Sequence, residues 1–285
     1  GGAILPQLLE KEYYMLGKAA NYSVSRISGL VGYMLAGGVI ALIGAVGALW
    51  IDAATFLISS AIIWSIRYQE NLQGAKQTVK GVIQDFAEGF RFIHASRTIQ
   101  TVSLIGLLIN FGIMPLTVFQ TPYVSDYLKM GPETLSYIKI LTSAGMITGS
   151  ALLPKLGKIK TPVIAVAAGV IMGAALIEMS IAQSLSTPVL KMGILTLSML
   201  SIGFGGGLLN VVIGSSVMKA VPKEMMGRIS GFLTAMMQAS MPVASFICSA
   251  LAVYFHIPHI LVFFGSLTLI CSLALYFRKK LDALS

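Results

Sequence analysis

The chain has 285 residues, of which 56% are hydrophobic and only 11% charged, with a mean hydropathy of +0.84. A soluble domain carries about a quarter charged residues, so there are too few charges here to coat a globular surface. The net charge of +9 suggests nucleic acid at first sight, but the basic residues lie between apolar runs rather than in one patch, which points to membrane topology instead.

In chain order, the apolar runs predict eight membrane spans at 22–44, 47–66, 99–124, 134–153, 162–183, 190–218, 226–253 and 258–277. Each is near the ~20 residues that cross a bilayer. In lipid the backbone must bond within its own segment, so the spans are read as helices and the fold as an all-α, polytopic bundle. Position 1 is Gly, and no basic stretch precedes an apolar core. No signal peptide is expected, and the chain reads as starting within a longer protein.

The connections alternate in charge. One set holds Lys11, Lys18 and Arg26, then Arg67 to Arg97, Lys155 to Lys160, Lys219 to Arg228 and Arg278 to Lys280, together 17 of the 20 Lys and Arg. The opposite set holds Lys129 and Lys191, while Lys139 lies inside a span. The positive-inside rule then places both termini in the cytoplasm of a cell-membrane protein.

The longest non-spanning stretch, 68–98, carries Val79, Val82, Ile83, Phe86, Phe90 and Ile93 at three- and four-residue steps, with Lys80, Asp85, Glu88 and Arg91 on the other face. This predicts an amphipathic helix on the membrane surface, read first as a linker and second as a lipid or partner sensor. It divides the chain into residues 1–67 with two spans, the 68–98 linker and a six-helix bundle over 99–285.

Two spans, a long cytoplasmic connection and six spans resemble the major facilitator superfamily from its fifth to its twelfth helix. Local strings sharpen the resemblance to its branch of macrolide and other drug exporters. Ile51-Asp52-Ala53-Ala54-Thr55-Phe56-Leu57 is similar to the opening of the sixth helix, and Glu88-Gly89-Phe90-Arg91-Phe92-Ile93 to the end of the central loop. Val221-Pro222-Lys223-Glu224 followed by Gly227-Arg228-Ile229-Ser230 resembles the turn into the eleventh helix, and Ile4-Leu5-Pro6-Gln7-Leu8-Leu9 the segment after the fourth. Two positions depart: Tyr33 stands where many drug antiporters have Pro, and Pro154 where a loop pattern has an acid. The family's first four helices have no counterpart. The resemblance implies a secondary transporter, with proton-coupled efflux of lipophilic compounds as the expected activity. The other reading is a non-transporting receptor, scaffold or assembly factor.

No enzyme site is legible, and neither a cofactor nor a metal is expected. Cys248 and Cys271 lack ligand spacing, His94, His256 and His259 share none with carboxylates, and Gly203-Phe204-Gly205-Gly206-Gly207 follows no strand. The informative residues are polar ones inside spans. Gly231, Thr234, Gln238, Pro242, Ser245 and Ser249 step by three and four along one helix face. Gly203, Gly207, Asn210 and Gly214 form a similar stripe, and Asn110, Pro115, Gln120 and Pro122 punctuate a third span. Such stripes bring helices close, or they line a solute pathway. Asn110, Gln120, Asn210, Thr234 and Gln238 are the candidate substrate-binding residues, with Met236, Met237 and Met241 as soft apolar neighbours.

Lys139 and Glu178 are either interfacial anchors or a coupling pair linked to protons. Asp52 fits the helix opening in the resemblance and is taken as structural. Ser25, Gly29, Gly32 and Ala36 predict close helix packing, which in the resembled family lies between its two halves. Arg228, in the first turn of its helix, is expected either to anchor topology or to latch the cytoplasmic side through its fixed donors. The expected partners are a small-molecule solute, lipids and protons, with no nucleic acid.

Overall fold

The computed structural model describes residues 13–65, 89–131, 133–156, 161–222 and 225–277. These residues form α1 (Tyr14–Ser65), α2 (Arg97–Pro122), α3 (Glu133–Leu152), α4 (Thr161–Ala182), α5 (Pro188–Ala220), α6 (Met226–Leu251) and α7 (Ile257–Phe277). Five of them, α2 and α4 to α7, are long and apolar enough to cross a membrane, and Val46–Ala61 is a shorter apolar helix. The protein is an all-α, multi-pass membrane helix bundle.

The first two expected spans are the two parts of α1. They meet at Gly44, whose φ of 72° and ψ of 174° break the helical path. Glycine takes that left-handed φ at little cost, whereas any side chain there is strained. Ser96 caps α2 by accepting the Ile99 N–H at 3.4 Å. Pro115 and Pro122 lie within α2, which continues as a π-helical turn, Tyr123–Leu128, and stops at left-handed Lys129. α3 tightens into a 3-10 turn, Leu153–Leu156.

Most of the expected amphipathic helix, including Val79, Val82, Ile83 and Phe86, lies outside the described residues. Its last turns, 89–95, are helical, with Ile93 buried and Phe90 exposed. Gly89 packs on the Phe232 ring of α6, where a Cβ would stand 3.1 Å from Cγ.

Helix neighbours follow the order α6, α2, α7, α4, α5, α3, α1, with α1 and α2 also touching α5 and α2 also touching α4. Glycines explain the closest pairs. A Cβ on Gly145 or Gly149 would strike the backbone of α5, and one on Gly203 or Gly207 the backbone of α3. Gly173 and Gly265 join α4 to α7 in the same way, each standing against the other's carbonyl. In lipid there is little hydrophobic drive between helices, so close backbone approach supplies the attraction. Several hydroxyls bond inside their own helices, as buried Thr268 does to the Phe264 carbonyl at 2.8 Å and part-buried Thr142 to the Ile138 carbonyl at 2.8 Å.

The connections sort to two ends of the bundle. At one, Tyr123 donates to the Met179 carbonyl, Lys191 Nζ donates to Leu128 O at 3.4 Å, and Tyr127 meets His256 Nδ1 at 3.4 Å. At the other, Ser23 and Ser150 share a 2.7 Å hydrogen bond and the Lys18 stem lies on Gly214. The second end is the charge-rich one. Beyond Gly44, α1 leaves Leu49, Trp50, Phe56, Leu57 and Trp64 exposed. That apolar surface suits lipid or further helices.

Candidate functional site

The polar stripe of α6 is its open face. Gly231, Thr234, Gln238, Pro242 and Ser249 are exposed, while Ile229, Leu233, Ala244 and Cys248 on the other side are buried. Only a minority of α6 packs inside the bundle, chiefly against α2. Pro242 has no N–H, so the Gln238 carbonyl four residues earlier loses its partner within the helix. Position 238 therefore offers both a side-chain amide and a freed carbonyl on the open face.

One turn away, Asn110 ties α2 to this region. Its Nδ2 donates to the Met237 carbonyl at 3.5 Å, and the Ser240 hydroxyl donates to the same oxygen at 2.6 Å. The Met237 side chain lies in the space left by Gly106, with Sδ 3.0 Å from where a Cβ would be. Asn110, Thr234 and Gln238 thus occupy one stretch of the α2–α6 surface.

The α5 stripe divides. Gly203 and Gly207 pack against α3, whereas Asn210 is exposed and donates to its own Gly206 carbonyl at 3.0 Å. Gln120 stands apart, about 15 Å along α2 from Asn110 by helical rise. Its Nε2 is buried without a hydrogen-bond partner among the described residues. An unmade bond of this kind costs about 1–3 kcal/mol, which marks Gln120 as a donor awaiting an acceptor.

A cavity of about 190 Å³ opens between the start of α1 and the facing parts of α5 and α6. Lys18 and Asn21 line it from α1, Gly214 from α5, and Ser230, Thr234 and Met237 from α6. Sequence reading missed Lys18, Asn21 and Ser230, because they sit at helix ends where polar residues are ordinary. A larger cavity, about 610 Å³, lies at the charge-poor end, lined by Tyr254, Phe255, His256, His259 and Phe263 among others. Its aromatic rim has the composition of a membrane–water interface.

The structure does not bring Lys139 and Glu178 together. α5 stands between α3 and α4, Glu178 accepts a 3.4 Å hydrogen bond from Ser198 of α5, and Lys139 is exposed. Among the described residues nothing lies within 4 Å of where a Cβ on Gly29 or Gly32 would stand, so no helix packs on them there. The α1 contacts run instead through Lys18, Tyr22 and Ser23, with the Tyr22 hydroxyl 3.5 Å from Met146 Sδ. Asp52 is exposed, and its carbonyl accepts from Thr55 at 2.7 Å. Arg228 is exposed in the first turn of α6 and engaged in an interaction. Among the described residues no three His, Cys, Asp or Glu side chains gather as a metal would require.

The family model of the Major Facilitator Superfamily matches residues 1–245. The uncharacterized MFS-type transporter YvqJ of Bacillus subtilis is 23% identical over 175 residues, covering 60% of this chain and 42% of that protein. The multidrug efflux pump Tap of Mycobacterium tuberculosis is 22% identical over 240 residues, covering 79% of this chain and 54% of Tap. The chain spans about half the length of the curated relatives it matches. A bacterial homologue of the iron transporter ferroportin, solved in an outward-facing state, aligns with a TM-score of 0.60 at 12% identity. That alignment covers 96% of this chain and 67% of the other. It speaks to the fold alone.

Proposed function

The chain belongs to the Major Facilitator Superfamily, a transporter family, and from that premise we propose that it forms part of a secondary transporter that exports a lipophilic, drug-like solute. The observation that carries this reading is the uncommitted polar face of α6. A long amide such as Gln238 is costly against hydrocarbon, but it is well placed against a water-filled solute path. Thr234, Gln238 and Asn110 supply a few hydrogen-bonding groups amid apolar and Met-rich surface, the usual make-up of a small-molecule site. Asn210, exposed on α5, and Gln120, with its unused donor further along α2, complete the candidate set of this reading. Similarity to Tap supports the efflux direction.

We assign proton coupling to Glu178, with Ser198 as its hydrogen-bonding neighbour, and keep Lys139 as an interfacial anchor. The exposed face of α1, with Gly29 and Gly32, is where the remaining helices of a complete transporter would dock. The charge-rich end is taken as cytoplasmic, in a cell membrane. Solute, lipids and protons are the partners of this reading, with neither nucleic acid nor a cofactor. The test is efflux of a panel of lipophilic dyes from cells producing the full-length protein, with and without a proton uncoupler. Faster efflux that the uncoupler abolishes supports the reading; efflux equal to that of empty cells for every dye overturns it.

A further inference from the structure

We propose that Lys18, Asn21 and Ser230 form a binding site for an oxyanion, a phosphate or carboxylate group, at the charge-rich end of the bundle. The cavity they line measures about 190 Å³, several times the volume of a water molecule, and so admits a headgroup-sized anion. Lys18 is half-buried, and its stem lies on Gly214. A Cβ at 214 would stand 2.9 Å from both Cγ and Cδ and collide with Cε, so this seat exists because residue 214 is glycine. A lysine that only anchored topology would extend into water instead of lying in a pocket.

Among the described residues no carboxylate pairs with Lys18. Asn21, one turn further along α1, and Ser230, across the cavity, have donors free of protein partners among the same residues. Thr234 already donates to the Ser230 carbonyl at 2.8 Å and closes the rim. Val217, Met218 and Leu233 supply apolar walls, which strengthen a charge-assisted hydrogen bond by excluding water. Lys155, Lys219 and Arg228 at the same end add to a potential that favours anions.

Two sources can supply the group: the headgroup of an anionic phospholipid, or a soluble oxyanion. Protein purified in a zwitterionic detergent is titrated in one arm with phosphatidylglycerol, followed by native mass spectrometry. In the other arm it is titrated with inorganic phosphate, followed by thermal shift. Binding in at least one arm is expected, weakened about tenfold by Lys18→Gln and by Gly214→Ala. Lys18→Arg retains it, and Ser230→Ala, a mild change at the rim, weakens it severalfold. The arm that responds identifies the source. Absence of binding in both arms, or equal binding by Lys18→Gln and the parent, overturns the proposal. No transport is measured, so this result and the export reading stand or fall separately.

Discussion

The Asn110 amide crosses from α2 to the backbone carbonyl of Met237 on α6, 3.5 Å away, one residue before Gln238. The contact is long, and the Met237 carbonyl also accepts from Ser240 at 2.6 Å, so the bond guides α6 more than it holds it. Asn110→Leu should therefore cost little stability, about 0.6 kcal/mol, the usual size of a hydrogen bond between membrane helices. The solute KM for export should rise severalfold if Asn110 faces the solute. An unchanged KM with a lowered melting temperature would make it a packing residue only.

The glycine seam between α3 and α5 gives a sharper stability contrast. Gly149→Leu drives a side chain into the Phe204 backbone, and overpacking of this kind costs about 1–3 kcal/mol. Gly32→Leu on the open face of α1 should leave the melting temperature of this 285-residue chain unchanged. Thermal unfolding in detergent measures both. Equal effects from the two would contradict the packing described.

The seam also shows what sequence reading can and cannot reach. The positions of the helices are legible because length and apolarity set them: each of the eight expected spans falls on an observed helix, and five of the observed helices are long and apolar enough to cross a membrane. Which helices touch is not legible. Gly145 and Gly149 have the spacing of a packing motif, but only the fold sets them against Gly203 and Gly207. For the same reason the sequence leaves open whether Lys139 and Glu178 pair or only anchor; among the described residues they do not pair, since α5 separates the two helices that carry them. The α6 stripe was legible as a face, from its three- and four-residue steps, but its open side was not. Lys18 registered only as a topological charge, since a basic residue beside a span is ordinary.

Topology is tested by single-cysteine labelling of the full-length protein in intact cells. Lys129→Cys, Lys191→Cys and His256→Cys should react with an impermeant maleimide, and Lys76→Cys, Lys158→Cys and Lys223→Cys should not. Three of these positions, 76, 158 and 223, lie outside the described residues. The reverse pattern would invert the assignment of the charge-rich end to the cytoplasm.

Arg228 distinguishes an anchor from a latch. A cation is mildly disfavoured in the first turn of a helix, so its retention in α6 suggests a compensating partner that uses the planar guanidinium. Arg228→Lys should insert normally but export more slowly, and Arg228→Ala more slowly still. If Arg228→Lys exports like the parent at equal surface abundance, only the topological role remains.

The central claim is that the open face of α6 carries solute. Its most direct test uses inside-out vesicles containing the full-length protein or its Gln238→Leu variant, loaded with a fluorescent lipophilic dye by an imposed proton gradient. The account predicts gradient-dependent dye uptake by the parent, and for Gln238→Leu at equal abundance a loss of about tenfold in kcat/KM, near the ~1.4 kcal/mol of one polar contact. Equal uptake by parent and variant would contradict it.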